Sequence, residues 1–203
     1  PGHRRRYRCR QGHERRAEIL AAAERIFVEH GYAGATIRKI AEAVGLSSTA
    51  LYMHFADKGE ILYEICRNVF TALKANQDEA IRLSGSFEAR LRRVLEAYVA
   101  FGLANPDAYR LVYMTRPGEA AGGAQSAAMD LGRDVLRDFE NFIASGAAEG
   151  RLKTEPRVAA QTLWAGAHGL TALLITKPYL DWAPPQALSD AMLDCLIGGL
   201  VRP

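Results

Sequence analysis

Residues 45–58, "GLSSTALYMHFADK", concentrate side chains that can hold phosphate and touch base edges: Ser47, Ser48 and Thr49 beside Ala50, then Tyr52, Met53 and His54, closing on Lys58. Hydroxyl, phenol, imidazole and ammonium groups all donate hydrogen bonds to phosphate oxygens, and small side chains let a backbone come close to a groove. Nothing in the chain pairs a nucleophile with a base. It holds no Gly-x-Ser-x-Gly, no glycine-rich phosphate loop and no His-Glu-x-x-His, and two of its five histidines, His3 and His13, fall near the N-terminus. Enzymatic chemistry is therefore not expected, and neither is a cofactor. Cys9 with His3 and His13 is spaced too irregularly for a metal site, and none is expected. A second group is Trp164 and His168, four residues apart and so on one helical face, with Gly166 and Gly169 permitting close approach of another helix. Two readings stand for this pair, a core tryptophan with a hydrogen-bonded histidine or the lining of a small-molecule pocket.

The elements that must position these groups read as helices. Ile19, Ala22, Ala23, Ile26 and Phe27 recur at helical spacing, and the segment is predicted to end near Gly31. Thr36 can cap a second helix with Ile37, Ile40, Ala41 and Val44 inward. Gly45 supplies a left-handed stop, Leu46 returns to the core, and Ser47 caps a third helix. Asp57 with Glu60 opens a long fourth helix burying Leu62, Ile65, Cys66, Val69, Phe70 and Leu73. Further helices are expected from residues 84–86, from Asn105-Pro106, and over about residues 125–149, 156–176 and 185–200, with "TRPGEAAGG" as a loop. No period-2 segments or internal repeats appear, so the expected fold is all-α with about nine helices.

At 203 residues and 49% hydrophobic content, the chain suits one or two small cores. Its net charge of +3 is uneven: residues 1–60 hold 11 Lys/Arg against 7 Asp/Glu, and residues 61–203 hold 15 against 16. "HRRRYRCRQGHERR" carries seven arginines and one glutamate, which fits either an arm drawn to phosphate or a solubilising leader. Three dispersed cysteines fit reduced thiols in a cytoplasmic protein. The longest apolar stretch, residues 163–176, is broken by His168 and glycines and is expected to be a buried helix rather than a membrane span.

Residues 36–55 supply two helices, a glycine turn and a slim exposed face, the requirements of a helix-turn-helix. A small helical bundle in which Tyr52 and His54 merely border a core would produce the same pattern. "TIRKIAEAVGLSSTALYMHFADKGEIL" resembles the DNA-binding signature of the TetR family of transcriptional repressors, with Thr36, Ile40, Ala41, Gly45, Leu46, Ser47, Leu51, Tyr52, His54, Phe55 and Lys58 at matching places. The resemblance spans about residues 15–65. It implies phosphate contacts from Thr36, Tyr52, His54 and Lys58, base contacts from Ser48, Thr49, Ala50 and Met53, and scaffold roles for Leu51 and Phe55. The segment lacks the Arg, Asn or Gln of bidentate base contacts, so Arg38 or the arginine arm is a further candidate. The expected organisation is a basic arm over residues 1–13, a DNA-binding domain over 14–58 and an effector-binding and dimerisation domain over 59–203.

"LWAGAHGL" and "AYRLVYM" resemble one class of TetR C-terminal domain marked by Trp-x-x-x-His-Gly, here Trp164, His168 and Gly169. The family resemblance implies a homodimer paired through residues 156–176 and 185–200, reading a near-palindromic double-stranded operator from recognition helices roughly 34 Å apart. It also implies release by a small effector that prefers the wrongly spaced state. Candidate pocket walls are Phe70, Tyr98, Phe101, Tyr109, Tyr113, Phe139, Phe142 and Trp164, with His168 and Thr171 as polar groups; their low charge points to a mostly apolar ligand. The alternative is a helical DNA-binding protein with a filled C-terminal core and no effector.

Overall fold

The computed structural model of the chain describes residues 2–114 and 123–202, with side chains over residues 13–114 and 129–202. Among these the chain forms nine α-helices: α1 (Gly2–Gly34), α2 (Ile37–Ala43), α3 (Ser48–Tyr52), α4 (Lys58–Arg82), α5 (Phe87–Ala104), α6 (Pro106–Met114), α7 (Gly123–Ala148), α8 (Pro156–Thr176) and α9 (Pro185–Leu200). The side chains of the arginine arm up to residue 12, including His3 and Cys9, and residues 115–122, where the sequence leads one to expect a loop, lie outside the described residues. Two compact units emerge, one of Pro1–Val69 with Asp107–Leu131, the other of Phe70–Pro106 with Gly132–Pro203. α4 runs through both, and α6 belongs to the first, a grouping that a single cut of the linear sequence at residue 58 has no means of expressing.

In the first unit the predicted punctuation is in place. The backbone of α1 leaves helical geometry at Gly31 (φ 67°, ψ 168°). Thr36 accepts from the Lys39 N–H at 3.2 Å to cap α2, and Ser47 accepts from the Ala50 N–H at 3.1 Å to cap α3. Between them Gly45 holds φ 65°, a left-handed conformation that glycine adopts without strain, and the Leu46 N–H closes on the Ala41 carbonyl at 2.8 Å. Asp57 accepts from the Glu60 N–H at 2.8 Å while the Glu60 carboxylate reaches back to the Ala56 N–H, opening α4. Ile19, Ala23, Phe27, Ile40, Leu51, Phe55 and Ile61 are buried and fix α1, α2 and α3 to the start of α4. Each of these side chains larger than alanine contributes about 1.5–3 kcal/mol on removal from water. Burial also pushes the Cys66 thiol up to about 11, leaving it an unreactive packing group.

The second unit is built on α5, α8 and α9, which pack on one another, with α7 completing the core. Leu91, Val94, Leu95, Phe142, Ile143, Leu163, Leu193 and Ile197 form its centre. Phe87 packs against Phe142 with ring centroids 5.2 Å apart. At Gly146 a Cβ would collide with the Phe87 ring, so that position of α7 must stay bare. Beyond the helical pattern, Leu152 and Val201 form an isolated antiparallel bridge, with the Lys153 N–H on the Leu200 carbonyl and the Arg202 N–H on the Arg151 carbonyl. Those bonds tie the end of α9 to the α7–α8 turn. α8 is long and apolar enough by length and composition to cross a membrane, yet it is packed between α5 and α9, with Ala159, Ala160, Leu163, Ala167 and Ile175 buried.

Candidate nucleic-acid interface and effector element

α3 has one buried residue, Leu51, and Phe55 follows it into the core just past the helix end. That leaves Thr49, Tyr52 and Met53 exposed, with Ser48 and Ala50 half-buried beside them; Met53 is 84% and Tyr52 54% exposed. The outward face is thus small hydroxyls at the leading turn and a phenol and thioether at the trailing one, slim enough for a major groove about 12 Å wide. Thr36 and Ser47 lie exposed at the N-termini of α2 and α3, each spending an oxygen lone pair on its cap while the hydroxyl proton can serve a phosphate. Arg38 projects from α2, 80% exposed, at 3.4 Å from the Glu42 carboxylate.

Lys58 is placed differently from the other expected phosphate contacts. Its Nζ donates to the carbonyls of Tyr32 (2.7 Å) and Ala35 (3.1 Å) and lies 4.3 Å from the centre of the Tyr32 ring. Lys39 likewise donates to the Gly34 carbonyl at 3.1 Å. Both ammonium groups complete carbonyls left open where α1 ends. Tyr32 in turn stacks on Phe27 with centroids 5.6 Å apart, and burial together with nearby Asp57 raises its phenol above the ordinary range.

Sequence reasoning missed one member of this assembly, Arg16. Its guanidinium donates to the His54 carbonyl and to the Glu64 carboxylate, lies 3.7 Å from Glu60, and stands 4.0 Å over the Phe55 ring. The available signal was its register: Arg16, Leu20, Ala23 and Phe27 share one helical face, and the last three are buried. Arg15, its neighbour, pairs with Glu18 on the surface at 2.5 Å.

In the second unit the structure brings together Tyr98 of α5 with Trp164 and His168 of α8. The Trp164 Nε1–H donates to the Tyr98 hydroxyl at 3.2 Å, that hydroxyl lies 3.4 Å from His168 Nδ1, and the two α8 rings are 5.9 Å apart. Burial holds the His168 imidazole below its ordinary range, so the ring is neutral near pH 7 and Nδ1 can accept. Of the other expected pocket residues, Phe139 and Phe142 belong to the core cluster against which Tyr98 and Trp164 pack. Thr171 is fully buried and returns its hydroxyl to the Ala167 carbonyl at 2.8 Å, and Phe70 packs at Gly132. Phe101 is half-buried on α5. Tyr109 and Tyr113 fall in the first unit, 4.9 Å apart and packed on each other. No group of three or more potential metal ligands occurs among the described residues.

Residues 19–65 match the family described as bacterial regulatory proteins, tetR family, and residues 91–196 match the tetracyclin repressor-like C-terminal domain. The chain belongs to the TetR family. Among curated relatives of this TetR-family chain, the transcriptional activator FasR of Mycolicibacterium smegmatis is 34% identical over 112 residues, 53% of this chain and 51% of FasR, so the chain spans about half the length of that relative. Among solved structures, the ketosteroid transcriptional regulator KstR2 of Mycobacterium tuberculosis superposes with a TM-score of 0.75 at 22% identity, covering 93% of this chain and 96% of that one. AibR, solved in complex with isovaleryl coenzyme A and operator DNA, superposes with a TM-score of 0.74 at 18% identity over 90% of this chain and 98% of its own. These last two establish a shared fold. The family is one of regulators, which agrees with the absence of a nucleophile–base pairing in the sequence.

Proposed function

We propose that this TetR-family chain is a transcriptional repressor that binds a near-palindromic operator as a homodimer and is released by a small, mostly apolar effector. The observation that carries the DNA-binding half is the outward face of α3, with Thr49, Tyr52 and Met53 exposed beside Ser48 and Ala50 while Leu51 and Phe55 anchor it. Thr36, Tyr52, His54 and the remaining N–H of Lys58 are assigned to phosphates, and Ser48, Thr49, Ala50 and Met53 to base edges, with Arg38 as a further candidate for specificity. Such a protein works where the chromosome is, in the cytoplasm. Selection of a binding site from random duplex DNA tests the proposal; failure to enrich an inverted-repeat sequence bound in a salt-sensitive complex would count against it.

Dimerisation is assigned to α8 and α9. Val158, Thr162, Ala165 and Leu173 form an exposed, uncharged line on α8, and Gly169 falls on the same face. A Cβ added at Gly169, Gly198 or Gly199 would meet nothing within 4 Å, leaving room for a partner helix to approach closely. For the effector, the assigned polar contact is the Tyr98–Trp164–His168 chain, in the class marked by Trp-x-x-x-His-Gly. AibR, which shares the fold and was solved with an acyl-coenzyme A, makes acyl thioesters a rational first panel. The packing of Trp164 against the core cluster of the second unit favours a second reading, a DNA binder with no effector. A thermal-shift screen of apolar compounds on wild type and Trp164→Ala separates the two: a stabilising compound lost in the variant supports the effector.

A further inference from the structure

We infer that Arg16 is a positioning residue for operator recognition, setting the recognition helix from behind rather than touching DNA. This rests on the DNA-binding reading above. The guanidinium of Arg16 spends its fork on two different elements: one arm donates to the carbonyl of His54, where the chain leaves α3, and the other to the carboxylate of Glu64 on α4. Glu60, one turn earlier on α4, lies 3.7 Å from the same arm, and the plane of the group covers the Phe55 ring at 4.0 Å. Three separate elements, α1, the exit of α3 and the first turns of α4, are therefore joined at one side chain.

The consequences follow from chemistry and register. The His54 carbonyl lies just past the Met53 C-cap of α3, at the negative end of the helix dipole, where a cation is favourable. α3 is only five residues long and cannot hold its own orientation. Its direction is fixed by Leu51 and Phe55 in the core and by what seizes its end. Tyr52 and Met53, the trailing groups of the outward face, lie within two residues of the His54 carbonyl. A change in that anchor swings the outward face. Arg16 itself, 30% exposed and with its charge met by Glu64, is poorly placed to serve a phosphate as well. A lysine could keep the charge but could supply neither the two-armed fork nor the planar stack on Phe55.

The test measures binding of wild type, Arg16→Ala and Arg16→Lys to the duplex selected by wild type and to a random duplex, each over a range of salt, with helicity and thermal melting read in parallel. Arg16→Ala should lose operator affinity by about tenfold, the size of one impaired base contact, while random-duplex affinity changes little. The slope of log affinity against log salt should match wild type, because no phosphate contact is removed. A slope shallower by about one, with operator and random duplex weakened alike, would make Arg16 a phosphate contact and overturn the inference. Unchanged operator affinity in either variant would overturn it too. If Arg16→Ala does not fold, Arg16→Lys carries the test, with the same selective but smaller loss expected. A wild type that binds no duplex defeats the functional reading itself, whereas a wild type that binds while both variants match it defeats only the role given to Arg16.

Discussion

Thr49 and Tyr52 leave the same short helix one turn apart, yet they should report on different halves of recognition. Tyr52 is long and more than half exposed, and its hydroxyl is the group proposed for a phosphate, which every sequence has. Removing that hydroxyl in Tyr52→Phe should weaken binding to all duplexes by about 1 kcal/mol, roughly fivefold. Thr49→Ala should instead alter preference at one base position and leave random-duplex affinity alone, which a binding-site selection repeated on the variant reads directly. Lys58 is legible in sequence as a cation near the recognition helix, but its bonds to the Tyr32 and Ala35 carbonyls are not. They depend on where α1 ends in space, which no local pattern states. His168 offers a pH test whose sign is fixed by burial. Because burial lowers its folded value below the usual 6.5, the unfolded chain binds the proton more readily. Stability is therefore intact above about pH 6.5 and falls as pH drops below it, toward the depressed folded value. Melting temperature followed through that window should fall further for wild type than for His168→Gln; equal losses would remove the histidine from the account.

The elements show where sequence is sufficient and where it is not. The ends of α2, α3, α4 and α8 were legible because each is written in local chemistry: Thr36, Ser47 and Asp57 as caps, Pro156 at a first turn. The inward stripe of α4 was legible for the same reason, since helical periodicity needs no partner to be seen. What periodicity could not supply was the partner. Leu193 and Ile197 of α9 face the core, while Ala191, Cys195 and Gly199 are exposed, and the sequence pattern fits either side being inside. The Leu152–Val201 bridge was invisible because two residues joined across almost fifty positions leave no alternating segment. Two glycines separate backbone from packing causes. Gly45→Ala meets open space but must hold φ 65°, so it should cost about 1–2 kcal/mol from conformation alone. Gly146→Ala keeps ordinary helical geometry and drives a methyl into the Phe87 ring, so its cost should be relieved by Phe87→Leu. Chemical denaturation of the two single variants and the Gly146→Ala/Phe87→Leu pair distinguishes these causes, because Phe87→Leu should do nothing for Gly45→Ala.

For the whole molecule, the question raised by the proposed contacts is how a short recognition helix whose outward face carries no Arg, Asn or Gln achieves an operator affinity worth regulating. On the proposed assignment exposed hydroxyls and a thioether would read bases weakly, the energy would come largely from phosphates, and a single copy would offer few of them. Doubling the set across a two-fold axis supplies both the missing contacts and a spacing requirement that random DNA does not meet. The uncharged line of Val158, Thr162, Ala165 and Leu173 is where that doubling is assigned, and Ala165→Glu is the direct challenge to it. A carboxylate there would be buried without a partner in the dimer but hydrated in the monomer. The variant should therefore sediment as a monomer at concentrations where wild type is a dimer, with helicity and the fold of the first unit unchanged. Each monomer then meets only one half-site. The slope of log affinity against log salt scales with the number of phosphates neutralised, so it should fall to about half the wild-type slope. A variant that stays dimeric, or one that becomes monomeric and keeps both the full slope and the full operator affinity, would show that α8 and α9 do not join the two copies on DNA.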